Sequence, residues 1–425
     1  MTDDSGRTSR FPTRRQILGT TAAGIGGLTG CTELLGASTE TIDPPSTLIA
    51  TWRTSDPTHQ VTLQWVVESD EQPDPVDIAL SPSANSKATN ETAVARFGPV
   101  DSYPPMYRHR ATFEALAPDT DFEIELRGKP TGLTVRTAPE SIDEPLTFAQ
   151  GGDIGTTGFV PDLHQQAASW DPLFALVGGD LAYADGVSVS PWITFLEQWH
   201  EHMRSDGRLI PIVAGIGNHE VQGGMHGSPE DAPFYYDLFD NEVRDQAYWA
   251  IDIGDSVSFL ILDSNHTTEV PGEQTEWLES ALAERADWEH VAAVSHVPAY
   301  PSSKPITGAG RDRVDVRDHW VPLFEAYDVD VVFEHDDHTY KRTHLLEGGE
   351  QADDGVLYVG DGAWGKGGRE AASTEERPYL AVSKSKRHVI RTTFAPDGTR
   401  QYRAVDPDGE TIDRFDGNGQ PVAEN

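Results

Sequence analysis

Leu209-Ile210-Pro211-Ile212-Val213-Ala214, followed closely by Gly217-Asn218-His219-Glu220, is the stretch on which the reading of this chain turns. The apolar run predicts a buried strand. An amide, an imidazole and a carboxylate then stand side by side at its carboxyl end, where open α/β sheets place ligand chemistry. Gly-Asn is also ordinary turn chemistry, so the tetrad alone decides nothing. Its meaning comes from the other strand ends.

Four further apolar runs end in the same manner. Leu146–Ala149 leads into Gln150-Gly151-Gly152-Asp153-Ile154-Gly155. Leu173–Val177 leads into Gly178-Gly179-Asp180-Leu181-Ala182-Tyr183. Val291–Ser295 leads into His296-Val297-Pro298, and Val329–Phe333 into Glu334-His335-Asp336-Asp337-His338-Thr339-Tyr340. Helical segments separate the runs, the pattern of a layered α/β fold. Ser190-Pro191 predicts a helix start, with Trp192, Phe195, Leu196, Trp199 and Met203 on its core face. Trp277, Leu278, Ala281 and Leu282 mark the core face of another helix. Each strand end on its own reads as a turn; together they collect carboxylate, imidazole and amide groups. Those are borderline-to-hard ligands suited to iron, manganese or zinc. The glycines before both aspartates let backbone approach a bound group.

Before this core, from about Thr47 to Thr137, short alternating segments such as Val61–Val67, Tyr107–Phe113 and Phe122–Arg127 predict strands. Several at this spacing suggest a small all-β sandwich. Leu116-Ala117-Pro118-Asp119-Thr120-Asp121-Phe122 resembles a signature of fibronectin type III-like domains. Alternation returns between Val389 and Phe415, around Pro-Asp-Gly turns, and predicts final hairpins.

The ordered set Gly-Asp-Ile-Gly, Gly-Asp-Leu-Ala-Tyr, Gly-Asn-His-Glu, Val-Ser-His-Val-Pro and a His-ended block before Tyr-Lys-Arg resembles the calcineurin-like metallophosphoesterase superfamily. The purple acid phosphatase branch is the most similar: its first block has this form, its second carries a tyrosine, and a β-sandwich precedes its catalytic domain. The resemblance implies a β-sandwich core with flanking helices, in αββα layers. It implies two metal ions, iron plus a divalent iron, manganese or zinc. Asp153, Asp180, Tyr183 and His338 would hold the first, with Asp180 bridging; Asn218 and His296 would hold the second. His219 would act on the substrate as the catalytic residue rather than as a ligand. Two ions about 3.5–4 Å apart would make hydroxide available to attack a phosphomonoester in line. A phosphodiesterase or nucleotide hydrolase, or a surface protein that binds metal without catalysis, are the alternatives.

The last block departs from that resemblance. The family's pattern is Gly-His-x-His, and here Asp336 stands where the first histidine belongs, with His335 one residue earlier. On an extended segment, residues two apart share a side. Asp336 is therefore expected as the further ligand of the second ion, with His335 as the alternative. Lys304, Arg311 and Arg313 fall on a predicted loop, Pro301–Arg313, and are candidates for meeting the substrate. Gly360-Asp361-Gly362-Ala363-Trp364-Gly365 reads as a loop lining the site.

Composition sets the setting. The 425 residues carry 32 Lys+Arg against 70 Asp+Glu, a net charge of -38, spread among apolar runs. Such a field opposes binding to nucleic acid or anionic lipid, and it resembles the surfaces of proteins from salt-loving microbes. Thr13-Arg14-Arg15-Gln16-Ile17-Leu18 is a twin-arginine pattern, followed by a weakly apolar stretch ending at Leu28-Thr29-Gly30-Cys31. Cys31 is the sole cysteine and sits as in a lipoprotein processing site. The expected order is a signal over 1–31, a tether over 32–46, a fibronectin III-like domain over 47–138, a catalytic domain over 146–405 and a tail over 406–425. The expected place is the outer face of the cytoplasmic membrane, with the lipid anchor as the only membrane contact and a phosphorylated small molecule as the partner.

Overall fold

A computed structural model describes residues 41–82, 87–240, 246–305, 311–360 and 362–423, without the side chain of Arg311. The expected signal, with Arg14, Arg15 and Cys31, lies outside these residues. Three strands carry the first three motif blocks, and they are neighbours. Leu146–Gly151, Ala175–Val177 and Ile212–Ala214 run parallel, with Val177 opposite both Gly151 and Ala214. Their carboxyl ends are thus level. The same holds in a second sheet, where Leu262 faces Ser295, Ser295 faces Glu334 and Glu334 faces Gly360 along parallel strands. The last two blocks emerge from that edge.

The two sheets have ten and seven strands. Alternation along each strand explains how they pack. Phe148, Leu176, Val213, Phe259, Ile261, Val294 and Phe333 share one buried cluster between the sheets. Ala149, Val177 and Ile212 point the other way, onto Leu163, Trp192, Phe195 and Trp199 of two helices, Val160–Ala168 and Val189–His202. Leu260, Leu262 and Ala293 point onto Leu278 and Phe324 of the helices on the opposite side, and onto Trp320 between two of them. Four layers result, αββα, as the resemblance implied. Phe148 sits at the centre of the inner cluster, with ring centroids 5.1 Å from Phe174, 5.0 Å from Phe259 and 5.2 Å from Phe394.

Several boundaries differ from the sequence reading. The expected break between residues 138 and 146 does not separate the sheets. Ile49–Thr51 pairs in parallel with Ile212–Ala214, Thr51 opposite Ile212, so strands of the N-terminal segment extend the ten-stranded sheet. Glu40–Asn425 is accordingly one compact unit. The expected tail also continues that sheet: Thr411–Asp416 pairs with Arg400–Val405, and Phe415 stacks on Tyr402 at 4.8 Å. The helix expected to start at Ser190 begins at Val189, and its N-cap, Ser188, makes no side-chain cap bond. Arg313 lies on a helix, Arg311–His319, rather than a loop. No helix among the described residues is long and apolar enough to cross a membrane.

Candidate metal centre

The centre is built where the level strand ends turn away from their sheets. Asp153, Asp180, Tyr183 and His338 have φ of 56°, 56°, 60° and 57°, the left-handed region, which bulky residues adopt at a cost. That turn brings their side chains together. His338 Nε2 lies 2.9 Å from Asp153 Oδ1, and Tyr183 OH lies 3.0 Å from each of those two atoms. Asp153, Asp180 and His338 each offer a donor atom within 4.8 Å of the others, all three residues being buried. Burial alone would raise the Asp153 carboxyl, but His338 outweighs it and holds it well below the usual range. Burial, with Asp153 and Asp180 beside it, pushes the Tyr183 phenol well above its ordinary value.

These residues fit a cation. Asp180 Oδ2 is buried without a hydrogen-bond partner. Two carboxylates taken out of water carry a desolvation penalty that only a nearby positive charge offsets. Four oxygen and nitrogen donors and no thiolate match iron or a similar ion.

A second set stands beside the first. His296 donates from Nδ1 to the carbonyl of Gly178 at 2.9 Å, which turns the lone pair of Nε2 into the centre. That Nε2 lies 3.4 Å from Asn218 Oδ1, 3.5 Å from Asp180 Oδ1 and 3.8 Å from Asp336 Oδ1. Burial would lower the His296 imidazole, but Asp180, Asp153 and Asp336 raise it to about 8. Such a focus of negative potential is what a second cation would meet.

Asp336 and His335 face opposite ways, though not for the expected reason. The chain from His335 to Thr339 is not extended, and φ is 74° at Asp336. That turn sends Asp336 into the centre, where its backbone N–H donates to Asp153 Oδ2 at 3.1 Å. Its carboxylate receives Lys304 Nζ on Oδ1 and Arg313 Nη2 on Oδ2, the latter at 2.5 Å. Burial would raise this carboxyl; Lys304, His296 and Arg313 bring it below its ordinary value. His335 points back under the sheet. Its Nδ1 donates to the Ser295 carbonyl at 3.1 Å, and its Nε2 accepts from Gln150 Nε2 at 2.8 Å. Both ring nitrogens are committed, and burial lowers the imidazole to about 4. Gly152 and Gly178 make room for the ring: a Cβ on them would lie 2.5 Å and 1.9 Å from it.

His219 stands at the mouth. Its side chain is 33% exposed, its Nδ1 lies 2.5 Å from Asp185 Oδ1, and its ring lies 4.1 Å from that of Tyr183. Glu220, for which the sequence offered no role beyond a supporting hydrogen bond, ties two blocks together. Its carboxylate accepts from the N–H groups of Asp180 (2.7 Å), Leu181 (2.9 Å) and Gly217 (2.9 Å). Burial, then Asp180, pushes its carboxyl up to about 8.

Three contributors escaped the sequence reading. Asp185 lies two residues past Tyr183 and could have been included with that block. Asp337 is buried and accepts from the N–H groups of Ser303 and Lys304 on Oδ2, at 2.5 Å and 3.0 Å. Lys366 places its Nζ 3.7 Å from the centre of the Tyr183 ring. It follows the glycine-rich loop, where Gly362, at φ 64°, lets the chain pass against Asp153. Asp337 stands inside the last quoted block without an assigned role, and nothing local in sequence marks Lys366. Of the three loop cations, Lys304 and Arg313 reach the centre, and the side chain of Arg311 lies outside the description.

Comparison with known proteins gives the class of the domain that carries these residues. The family described as calcineurin-like phosphoesterase matches residues 146–340, and that segment is a calcineurin-like metallophosphoesterase domain. The chain is 28% identical over 286 residues to an uncharacterized protein of Mycobacterium tuberculosis, covering 55% of this chain and 50% of the other. It is 26% identical over 279 residues to purple acid phosphatase 18 of Arabidopsis thaliana, covering 60% and 59%. The match thus spans about half the length of these relatives. The fold is similar to that of purple acid phosphatase PPD1 from yellow lupin (Lupinus luteus) seeds. The TM-score is 0.70 at 18% identity, covering 87% of this chain and 73% of that one. It is also similar to PhoD, with a TM-score of 0.65 at 13% identity, covering 91% and 94%.

Proposed function

We propose that this protein is a metal-dependent hydrolase of phosphomonoesters. The observation that carries the reading is the convergence of two donor sets, Asp153–Tyr183–His338 and Asn218–His296–Asp336, on the shared carboxylate of Asp180. The first set, with its tyrosine, suits iron; the second suits a divalent iron, manganese or zinc ion. Ions held there would lower the pKa of a bound water and withdraw charge from phosphate oxygens.

The chain's own residues supply the rest. Asp185 holds His219 by Nδ1, which fixes the ring and leaves Nε2 facing the cleft, 3.9 Å from Asp180 Oδ2. A proton held on Nε2 is placed for the leaving oxygen of an ester. Glu220 keeps Asp180 and the Gly217 turn in register, so the His219 N–H can donate to Asp180 Oδ1 at 2.8 Å. Lys366, Lys304 and Arg313 add positive charge around the mouth of a strongly acidic protein, where an anionic ester must enter. Export by the twin-arginine route and a lipid anchor at Cys31 complete the proposal, which places the enzyme at the cell surface.

The test is hydrolysis of p-nitrophenyl phosphate against bis(p-nitrophenyl) phosphate, with and without chelator. Chelator-sensitive monoester cleavage that falls about 10²–10⁴-fold in His219→Ala is the expected result. Preference for the diester would make it a phosphodiesterase, and no cleavage of either in the metal-loaded protein would refute catalysis.

A further inference from the structure

We propose that Lys304 is a built-in competitor for the second metal ion, so that the two donor sets bind their ions with unequal strength. The inference rests on the metal-centre reading above and concerns only its second half. Asp336 turns Oδ1 toward His296 Nε2, 3.8 Å away, and that same oxygen receives Lys304 Nζ. A cation entering among Asn218, His296 and Asp336 meets an ammonium already seated on one of its donors. Both cannot use the inward side of Oδ1, because like charges at that separation repel in a buried setting.

The surroundings decide which cation yields. Arg313 is 8% exposed, holds Asp336 Oδ2 at 2.5 Å and lies 3.7 Å from Asp337 Oδ1, so it stays and orients the carboxylate. Lys304 is 29% exposed and has a way out to water. Its backbone is fixed on both sides: its N–H donates to Asp337 Oδ2 at 3.0 Å, and its carbonyl accepts from Arg377 Nη2 at 2.9 Å. Only the side chain is free to swing. Metal entry at this position is therefore an exchange, ion in and ammonium out. An imidazole at position 336 would offer no anion for Lys304 to hold, so the competition follows from the aspartate at that position.

The experiment titrates manganese(II) into the chelator-stripped full chain by calorimetry, in the salt that keeps it folded. Two steps are expected in the natural protein, the second at least about tenfold weaker, as the loss of one charge-assisted hydrogen bond requires. Lys304→Met and Lys304→Gln should each tighten the second step by about ten- to a hundredfold and leave the first unchanged. Lys304→Arg, which keeps the cation, should leave the second step weak. The first step doubles as a folding control. Two equally tight steps in the natural protein, or an unchanged second step in both neutral variants, overturns the inference and leaves the metal-centre reading standing. No manganese binding at either set overturns both.

Discussion

Replacing His335 and Asp336 one at a time separates two neighbours that the sequence could not tell apart. His335→Ala removes a fully buried ring and strands two partners, the Gln150 amide and the Ser295 carbonyl. A vacated ring plus an unsatisfied buried polar group costs about 3–5 kcal/mol. Unfolding entropy of about 2.1 cal/mol/K per residue converts that into a fall in melting temperature of about 4–6 °C for a unit of this size. Neither ring nitrogen faces the donor sets, so bound metal should be unchanged. Asp336→Asn should do the reverse. Arg313 can turn to Asp337, whose Oδ1 has no hydrogen-bond partner, and Lys304 can swing to water, so stability falls by only about 1–2 kcal/mol. The weaker metal step should disappear. Thermal melts in parallel with elemental analysis after dialysis are sufficient. A His335→Ala protein that melts normally but loses an ion would refute the argument, because the ring would then be a ligand and not a brace.

Acid stability should depend on His164, which burial holds at about 3, against an ordinary value of 6.5, in a niche between Trp199 and Trp364. The unfolded chain takes up a proton near pH 6.5 and the folded one does not. Stability is therefore full above 6.5 and falls by about 1.4 kcal/mol per pH unit as pH drops toward 3. His164→Leu should flatten that slope, and an equal loss of unfolding free energy between pH 7 and pH 4 in both proteins, measured by denaturant titration, would count against it. With a net charge of -38, the protein should unfold or lose activity in low salt, where the Debye length grows from about 3 Å at 1 M to about 30 Å at 0.01 M. An unchanged melting point across that range would remove the case for a salt-adapted surface. Cys31→Ser should move the protein from the membrane fraction to the soluble one; membrane retention would show that Cys31 is not the anchor.

Much of the site was legible because its chemistry is local to strand ends. Gly-Gly-Asp twice and Gly-Asn-His each announce a donor and the glycine that lets backbone close on it, and Ser-His-Val-Pro announces a donor alone. Apolar runs alternating with helical segments made a layered α/β fold legible, and the family resemblance supplied its αββα order; in the structure, alternation sends Phe148 and Phe259 into one core and Ala149 and Leu260 into others. The boundaries were less legible. Thr51 pairs with Ile212 across 161 residues of chain, and no composition shift near residue 138 could reveal that the same sheet continues through it.

The sequence by itself determined the kinds of donor, their order and the strand ends that carry them, since residue type and periodicity are properties of short segments. Only the tertiary structure decided which way the last block faces. A left-handed turn at Asp336, and two glycines just past the ends of different strands that cradle His335, exchange the outcome between neighbours one residue apart. The pairing of Lys304 and Arg313 with Asp336 is likewise invisible in sequence, because partners 32 and 23 residues away meet only when a strand end, a loop and a helix are packed together.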